Sequence, residues 1–562
     1  MNKETKMIVY QLFPRWFTNR VANNKFNGSI TENGVGKMND IDATVLNAIK
    51  DLGVTHVWYT GVIEHANKTD YSKYGIESSN PYVVKGNAGS PYAIRDYYDV
   101  DPDIATDVND RIQEFEALVK RTHDCGLNVI IDFVPNHVAR NYKSDVKPNN
   151  VKDLGEGDDS GMFFSPNNNF FYITGEYFAP SINLGEGQNA YVEFPAKATG
   201  NDCFHAHPGV NDWYETVKLN YGVDPWNGSK HFDPIPPTWT KMADILLYWA
   251  AKGVDGFRCD MAHMVPVEFW HWAIAKVKES YPEIVFIAEI YDTNLYRDYI
   301  FNGGFDYLYD KVNLYDTLCD IVKRGSSASR ITSCWHTVEG VQDHMLNFLE
   351  NHDEIRVAAP QLFGNPEKAI PALVVSATIS TSPFMLYAGQ EMGENAEGAM
   401  GFSGDDGRTS IFDYISVPSI QRWYSDGKCN LMRLNNKERS LRAVYRKILK
   451  ICNQEKAISK GLFFDLMYVN GENLDPDRQY VYLRHFGDET LLIAVNFADT
   501  DAIVNVSVPQ HAIDFLGLAE GVHFMKELLS GKTQHAVVSA SDKIRVDIPS
   551  HNAVIWKWLN SK

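Results

Sequence analysis

Cysteine and basic charge are both scarce in this sequence. The seven cysteines stand at positions 125, 203, 259, 319, 334, 429 and 452 with no Cys-x-x-Cys pair, so neither a disulfide framework nor a zinc site is supported. The net charge is −19, from 53 basic against 72 acidic residues. This balance argues against nucleic acid as a partner, because phosphate binding needs a basic surface. A neutral substrate is compatible with it.

Long apolar runs are also lacking. The longest uncharged stretch, 369–390, contains two prolines and many Ser and Thr residues, so it predicts a buried helix followed by a strand rather than a membrane span. The opening MNKETKMIVYQLF has no long apolar stretch and no small-residue cleavage site. We therefore expect a cytoplasmic protein, with a processed secreted form as the alternative.

Strand-like and helix-like segments alternate through most of the chain. A length of 562 residues suggests two or three domains. Predicted strands lie at 7–13, 55–60, 128–134, 254–261, 284–290, 305–312, 343–351 and 383–391, of which 305–312 has the weakest pattern. Predicted helices lie at 42–53, 111–126, 241–253 and 268–281. Eight such repeats predict a closed parallel (β/α)8 barrel over residues 1–137 and 239–450.

The alternation breaks once and then ends. Residues 138–238 are rich in Asn, Gly, Pro and aromatics, and a structureless loop of that length is improbable. We interpret this span as a subdomain inserted over the barrel mouth after strand three. From 455 to 562 the pattern changes to short alternating runs, which predict a C-terminal antiparallel β-sandwich.

Three acidic residues each lie at or just past the end of a predicted strand: Asp260 in GFRCDMAH, Glu289 in VFIAEIYD and Asp353 in NFLENHDEIR. In a parallel barrel the carboxyl ends of the strands carry the active site. We therefore expect these carboxylates to meet, together with the strand end DFVPNH at 132–137.

Arg258 lies two residues before Asp260 on the same strand face. A guanidinium beside a carboxylate lowers its pKa and keeps it ionised, as a nucleophile must be; a structural ion pair is the alternative. Glu289 follows the apolar run VFIA, so burial should raise its pKa and leave it a proton to give, although a strand-end Glu is often only a polar cap. A raised-pKa acid facing an ionised partner is the arrangement used to cleave glycosides.

Asp353 could hold substrate hydroxyls and favour positive charge on a sugar ring, and His352 could donate to a hydroxyl; a helix N-cap at Asp353 is the alternative. Asp132 could be structural. The amide oxygen of Asn136 could ligate calcium with oxygens from the inserted subdomain, while His137 is more suited to contact substrate. No organic cofactor is indicated.

These four strand ends, in this order, resemble the conserved regions of the α-amylase family, glycoside hydrolase family 13. The resemblance covers essentially the whole chain and implies Asp260 as nucleophile with Arg258 as partner, Glu289 as acid/base and Asp353 as transition-state stabiliser. It further implies His137 and His352 as sugar ligands and Asn136 as a residue near calcium. SPYAIRDYYDVDP (90–102) resembles the segment before strand three, where Tyr92 would stack on the sugar, and GRTSIFDY (407–414) resembles the end of the barrel.

Some positions depart from the common α-amylase pattern. Ala262, His263 and Met264 follow the nucleophile where many relatives have Lys-His, and this run is similar to maltosyltransferases of the family. Val217-Lys218-Leu219-Asn220 replaces Pro-Asp-Leu-Asn, so a lysine takes the place of an acidic residue. Lys218 and His263 could face a sugar or phosphate acceptor, or could be a surface lysine and a packed histidine.

The sequence therefore predicts a retaining hydrolase of α-glucosidic bonds in α-glucans or malto-oligosaccharides, with its two carboxyl groups roughly 5–5.5 Å apart. The same residues would serve an α-glucan glycosyltransferase. A non-catalytic sugar-binding protein is the third hypothesis; such proteins usually lose a catalytic carboxylate or the arginine, and this chain keeps all four.

Overall fold

Eight parallel strands close into a barrel. The structure is a computed structural model that describes residues 5–398, 402 and 404–560. The strands are β1 (Ile8–Leu12), β2 (His56–Tyr59), β3 (Asn128–Phe133), β4 (Gly256–Cys259), β5 (Val285–Ala288), β6 (Tyr307–Tyr309), β7 (Met345–Phe348) and β8 (Phe384–Tyr387). Each pairs with the next in chain order, and β8 returns to β1, where Ile8 lies opposite Phe384. All eight predicted strands are confirmed, including the sixth.

Helices connect the strands and cover the barrel. The longer ones are α1 (Ala43–Lys50), α2 (Arg111–Asp124), α3 (Pro237–Ala251), α4 (Val267–Ser280), α5 (Tyr296–Phe301), α6 (Asp316–Arg324), α7 (Arg330–Thr337), α8 (Ile370–Thr378), α9 (Pro418–Tyr424) and α10 (Asn436–Gln454). The uncharged stretch 369–390 forms α8 and β8, as predicted. No helix in the described part of the chain is long and apolar enough to cross a membrane.

The segment between β3 and α3 contains short strands and one 3-10 turn, Gly187–Asn189. His137–Ala139 pairs with Thr216–Lys218, and Tyr172–Ile173 pairs with Ala196–Lys197. This segment has a small apolar cluster of its own, formed with Val83 by Ile173, Phe178, Ala196, Ala206 and Tyr214. Because the first of these pairs begins four residues after β3 ends, the segment is tied to the barrel at the carboxyl end of that strand.

The last hundred residues form antiparallel sheets, as predicted. The strands are β9 (Leu462–Asp465), β10 (Gln479–Phe486), β11 (Glu489–Asn496), β12 (Ala502–Ser507), β13 (Gly521–Glu527), β14 (Thr533–Val538), β15 (Lys543–Ile548) and β16 (Asn552–Leu559). Six of them form one sheet in the order β9-β10-β11-β16-β13-β14, and β12 pairs with β15. The barrel helix α8 packs against this sheet at β11 and β16.

Candidate active site

The three predicted carboxylates line one cavity. Asp260, Glu289 and Asp353 follow β4, β5 and β7, and all three line a space of about 390 Å³ at the carboxyl ends of these strands. The strand pattern placed each of them correctly, because a side chain just past a barrel strand emerges at the mouth.

One guanidinium connects the first two carboxylates. Arg258 is fully buried in β4, and its Nη1 lies 2.8 Å from Asp260 Oδ1 while its Nη2 lies 2.7 Å from Glu289 Oε2. Nη1 is also 3.4 Å from Asp132 Oδ1, and Nε donates to the Tyr309 hydroxyl at 3.2 Å. The planar fork of arginine suits this double pairing in a way that a lysine ammonium does not.

The sequence-based expectation for the pKa of Asp260 is wrong in its net direction. Burial raises this pKa well above its usual range, and the nearby charge of Glu289 raises it further, whereas Arg258 lowers it. The effect of Arg258 has the expected sign, but the guanidinium is divided among three carboxylates. The pKa of Asp260 therefore stays raised despite its ion pair with Arg258.

Glu289 is held by the backbone as well as by side chains. The Met261 N–H donates to Glu289 Oε2 at 2.8 Å, and the Tyr291 hydroxyl lies 2.5 Å from Oε1. Met261 has a φ of 43°, in the left-handed region that residues with a Cβ seldom adopt. Such strain is retained where it serves a site, and here it turns an N–H toward the carboxyl of the predicted acid.

Asp353 contacts its neighbour His352 rather than a helix end. No helix begins at this point of the described chain, and Asp353 Oδ2 lies 3.0 Å from His352 Nε2. Burial raises the pKa of Asp353, but the charge and hydrogen bond of His352, with Arg258 and Arg408 behind them, lower it to about 2. Asp353 is therefore an anion at neutral pH.

His352 and Tyr92 contact each other beside this anion, and of the two Tyr92 lines the cavity. The Tyr92 hydroxyl lies 2.5 Å from His352 Nε2 and 3.3 Å from Asp132 Oδ1, and the two rings stack with centroids 5.1 Å apart. Gln11, from β1, reaches His352 Nδ1 at 2.8 Å. Tyr92 lines the cavity, whereas Asp132 bonds to Trp58, Tyr92 and Arg258. Asp132 is not among the residues that line the cavity, and its structural role stays a prediction.

The two other predicted histidines differ in position. His137 lines the cavity with its ring 5.2 Å from that of Trp213, and its pKa is lowered to about 3 by burial and by Lys218. His263 is half-buried in the turn after β4, with Nδ1 3.5 Å from the Glu289 carbonyl oxygen, and it does not line the cavity. Its ring lies 6.3 Å from that of Tyr291, which does line the cavity, and a substrate contact from His263 stays a prediction.

The surroundings of Asn136 do not fit a calcium ion. Its Oδ1 accepts from the Lys218 ammonium, which also lies 2.7 Å from Asp202 Oδ1. Its Nδ2 donates to the Gly200 carbonyl at 2.7 Å. A cation is therefore already supplied to the oxygens that a metal would need.

Comparison with known families agrees with this geometry. The family described as "Alpha amylase, catalytic domain" matches residues 11–171 and 236–461, and these ranges hold all three carboxylates and Arg258. The chain belongs to the alpha-amylase family. It is 22% identical to alpha-amylase 2 of Dictyoglomus thermophilum over 508 residues, covering 89% of this chain and 71% of that protein.

Other members of the alpha-amylase family are similar at comparable distances. An alpha-1,4-glucan:maltose-1-phosphate maltosyltransferase of Picrophilus torridus is 22% identical over 368 residues, with 60% of this chain and 50% of that protein covered. Among solved structures, a maltogenic alpha-amylase of Thermotoga neapolitana matches with a TM-score of 0.62 at 19% identity, covering 99% of both chains. The alpha-amylase of Geobacillus thermoleovorans, solved with acarbose, has a TM-score of 0.63 at 19% identity, covering 100% of this chain and 99% of that one.

Several residues of this alpha-amylase-family cavity were missed from the sequence. The cavity is also lined by Lys85, Ser90, Trp213, Glu215, Thr216, Met261, Tyr291, Arg408, Ile411 and Phe412. Arg408, Ile411 and Phe412 belong to the GRTSIFDY motif, whose resemblance was noted without assigning any of its side chains. Tyr291 stands two residues beyond Glu289, and an aromatic just past a catalytic strand end could have indicated it. A larger cavity of about 740 Å³ also has Arg408 in its wall, but none of the three carboxylates.

Proposed function

We propose that this protein is a retaining glycoside hydrolase that cleaves α-glucosidic bonds in α-glucans or malto-oligosaccharides. The observation that carries the proposal is the pairing of Asp260 and Glu289 on one buried guanidinium, with Asp353 in the same cavity. Retaining cleavage needs a nucleophile and an acid held close together on either side of the scissile bond.

In the first step Asp260 acts in its ionised form, which the ion pair with Arg258 favours, and attacks the anomeric carbon as the bond to the glycosidic oxygen breaks. Glu289 gives its proton to that oxygen, so the leaving chain departs as an alcohol and Asp260 becomes a glycosyl ester. Positive charge develops on the ring during the attack, and Asp353, an anion with a pKa of about 2, stabilises it.

In the second step Glu289, now a carboxylate, removes a proton from water as the water attacks the anomeric carbon. The ester bond to Asp260 breaks, and both carboxyls return to their starting states. The Met261 N–H and the Tyr291 hydroxyl hold the Glu289 carboxyl through both steps.

The charges of the cavity favour a neutral sugar. Four acidic side chains line it, Glu215, Asp260, Glu289 and Asp353, against Lys85 and Arg408. Lys85 is itself paired with Glu215 at 3.0 Å, so little positive charge is available to an anionic substrate. The ring of Trp213, beside His137, provides an apolar surface on which a sugar can stack.

A glycosyltransferase using the same carboxylates is the second candidate, favoured by the maltosyltransferases among the relatives. Transfer requires a sugar or phosphate acceptor to replace water. Lys218 and His263, the two residues considered for binding one, do not line the cavity, which supports hydrolysis.

The deciding experiment follows products from maltoheptaose over time, with Asp260→Asn as control. Shorter oligosaccharides with new reducing ends are expected. Longer products without a net gain in reducing ends would instead make the protein a transferase, and glycosyl phosphates are then tested as donors. A wild-type protein inactive on all of these, and on other α-linkages, would favour the non-catalytic hypothesis.

The role of Glu289 has a test of its own. Glu289→Gln should lower kcat/KM on maltoheptaose by about 10²–10⁴-fold, the usual contribution of a general acid. On a 4-nitrophenyl α-maltoside, whose leaving group needs little protonation, the first step should lose much less. An equal loss on both substrates contradicts the acid role.

A further inference from the structure

A buried lysine lies directly behind the catalytic cavity. Lys218 ends the insertion strand that pairs with His137–Ala139, and its side chain is 9% exposed. The ammonium donates to Asn136 Oδ1, to Asp202 Oδ1 at 2.7 Å and to the Met264 carbonyl at 3.2 Å. An ammonium has three N–H donors and no acceptor, so these three oxygens satisfy it completely.

The three oxygens come from separate segments of the chain. Asn136 follows β3, Asp202 belongs to the insertion, and Met264 ends the turn that begins just after Asp260. An amide oxygen, a carboxylate and a backbone carbonyl are also the ligand types that calcium takes in proteins. The position of Lys218 is therefore one at which a hard cation would be bound.

Two features of the backbone and side chains direct these oxygens inward. Asn136 Nδ2 donates to the Gly200 carbonyl at 2.7 Å, which turns the amide oxygen toward Lys218. Asp202 has a φ of 61°, in the left-handed region, and its half-exposed carboxylate contacts the ammonium. A Cβ on Gly200 would lie 2.9 Å from His137 Cβ, so the packing around this join is tight.

We propose that Lys218 is a built-in cation that replaces calcium at this position and makes the join between the insertion and the barrel independent of divalent metal. Lys218 is directly connected to the site, because His137, its partner in the strand pairing, lines the cavity, and Met264 lies four residues after Asp260. The single side chain of Lys218 thus holds the segments of His137 and Met264 together, and this join does not need a metal ion.

Thermal unfolding of the full-length protein tests this proposal. The wild type should have the same Tm in excess EDTA and in millimolar CaCl₂. Lys218→Met, which keeps the length and removes the charge, should lower the Tm by several degrees because the oxygens lose their donor. Lys230→Met is the matched control: Lys230 lies in the same insertion, but it is 53% exposed and paired only with Glu268 at the surface, so its Tm should change little.

A third variant examines the oxygens themselves. Lys218→Asp removes the ammonium and adds a carboxylate, so CaCl₂ should raise its Tm while leaving that of the wild type unchanged. The proposal is overturned if EDTA destabilises the wild type and CaCl₂ restores it, or if Lys218→Met is as stable as Lys230→Met. It is likewise overturned if Lys218→Asp folds and its Tm does not respond to calcium.

Discussion

At the scale of single residues, Arg258 is the side chain that connects the carboxylates of the site. It reaches Asp260, Glu289 and Asp132 at once from inside the barrel wall. Arg258→Lys keeps the positive charge but replaces the planar guanidinium by a single ammonium nitrogen, so at least one charge-assisted hydrogen bond is lost. We expect kcat/KM to fall by about 10–100-fold, equivalent to about 1.5–3 kcal/mol. Steady-state kinetics measures this, with the exposed Arg446→Lys as control; unchanged kinetics would contradict the central role of the fork.

Tyr291 is the second residue with a distinct kinetic prediction. Its hydroxyl lies 2.5 Å from Glu289 Oε1, and Tyr291→Phe removes this partner without changing the ring. We expect kcat to fall by about tenfold, the effect of one hydrogen bond to an ionisable group. The exposed Tyr177→Phe serves as control. A kcat equal to wild type would mean that the Met261 N–H and Arg258 suffice to hold Glu289.

Glu64 gives a prediction about stability and pH. It is buried, and burial together with the charges of Asp99 and Asp96 raises its pKa well above the ordinary 4.5. The folded state therefore binds this proton more tightly than the unfolded state. Its contribution is fully present below pH 4.5 and is lost as pH rises through the folded pKa.

Glu64→Gln, which cannot lose a proton, removes this pH dependence. The difference in free energy of unfolding between variant and wild type should grow in favour of the variant between pH 5 and pH 8, as measured by denaturant titrations. Glu339→Gln, at an exposed side chain, should show no such trend. A difference for Glu64→Gln that is constant with pH would count against a raised pKa.

At the scale of elements, one loop positions the cavity wall opposite the carboxylates. The Ala88 N–H donates to the Phe412 carbonyl at 3.0 Å, and Phe412 lines the cavity. Gly86, with a φ of 65°, packs so closely that a Cβ would lie 2.1 Å from that carbonyl oxygen. The contact leaves no room for any side chain at this position.

Gly86→Ala should therefore displace Phe412 and lower both the Tm and kcat/KM. Gly75→Ala is a matched control, since Gly75 has a φ of 82° but nothing within 4 Å of the added Cβ. The free energy of unfolding of Gly75→Ala should fall by only about 1–2 kcal/mol, the cost of a left-handed backbone for alanine, and its kcat/KM should be unchanged. Equal effects of the two substitutions on kcat/KM would show that the packing against Phe412 has no influence on the site.

The sequence predicts the position of a residue well where the surrounding apolar residues show a clear strand or helix periodicity, and less well elsewhere. Asp260, Glu289 and Asp353 could be placed because each follows an apolar run with a clear strand pattern. Lys218 and His263 could not, because whether a lysine or histidine faces a ligand depends on contacts between segments far apart in sequence. The pKa of Asp260 was misjudged for a related reason: the neighbour Arg258 is visible in the sequence, but its sharing with Glu289 arises only from the packing of β4 against β5.

At the scale of the whole molecule, Arg484 is one of several residues that join the C-terminal sheet to the barrel; Tyr482, for example, bonds to Thr378. Arg484 in β10 is buried and donates to the carbonyls of Ile379, just after α8, and of Ala457, Ile458 and Gly461. Burial lowers its pKa to about 10, so it remains charged at neutral pH. These bonds favour cooperative unfolding of barrel and sheet.

Calorimetry should accordingly show one unfolding transition for the wild type. Arg484→Met leaves several buried carbonyls without a donor, and we expect a loss of about 2–5 kcal/mol or a separation into two transitions. Arg545→Met, at an exposed arginine of the same C-terminal unit, should leave the profile unchanged. An unaltered profile for Arg484→Met would show that the other contacts between the two parts are enough to couple them.

The closure of the barrel has a consequence for how the protein is made. Ile8 pairs with Phe384 across nearly the full length of the barrel sequence, and pairings of such separation form late because long loops must close first. During translation β1 leaves the ribosome early and has only one of its two neighbours until β8 is synthesised. The nascent chain therefore carries an unpaired strand edge for most of its synthesis, when it is most exposed to aggregation and to chaperone binding.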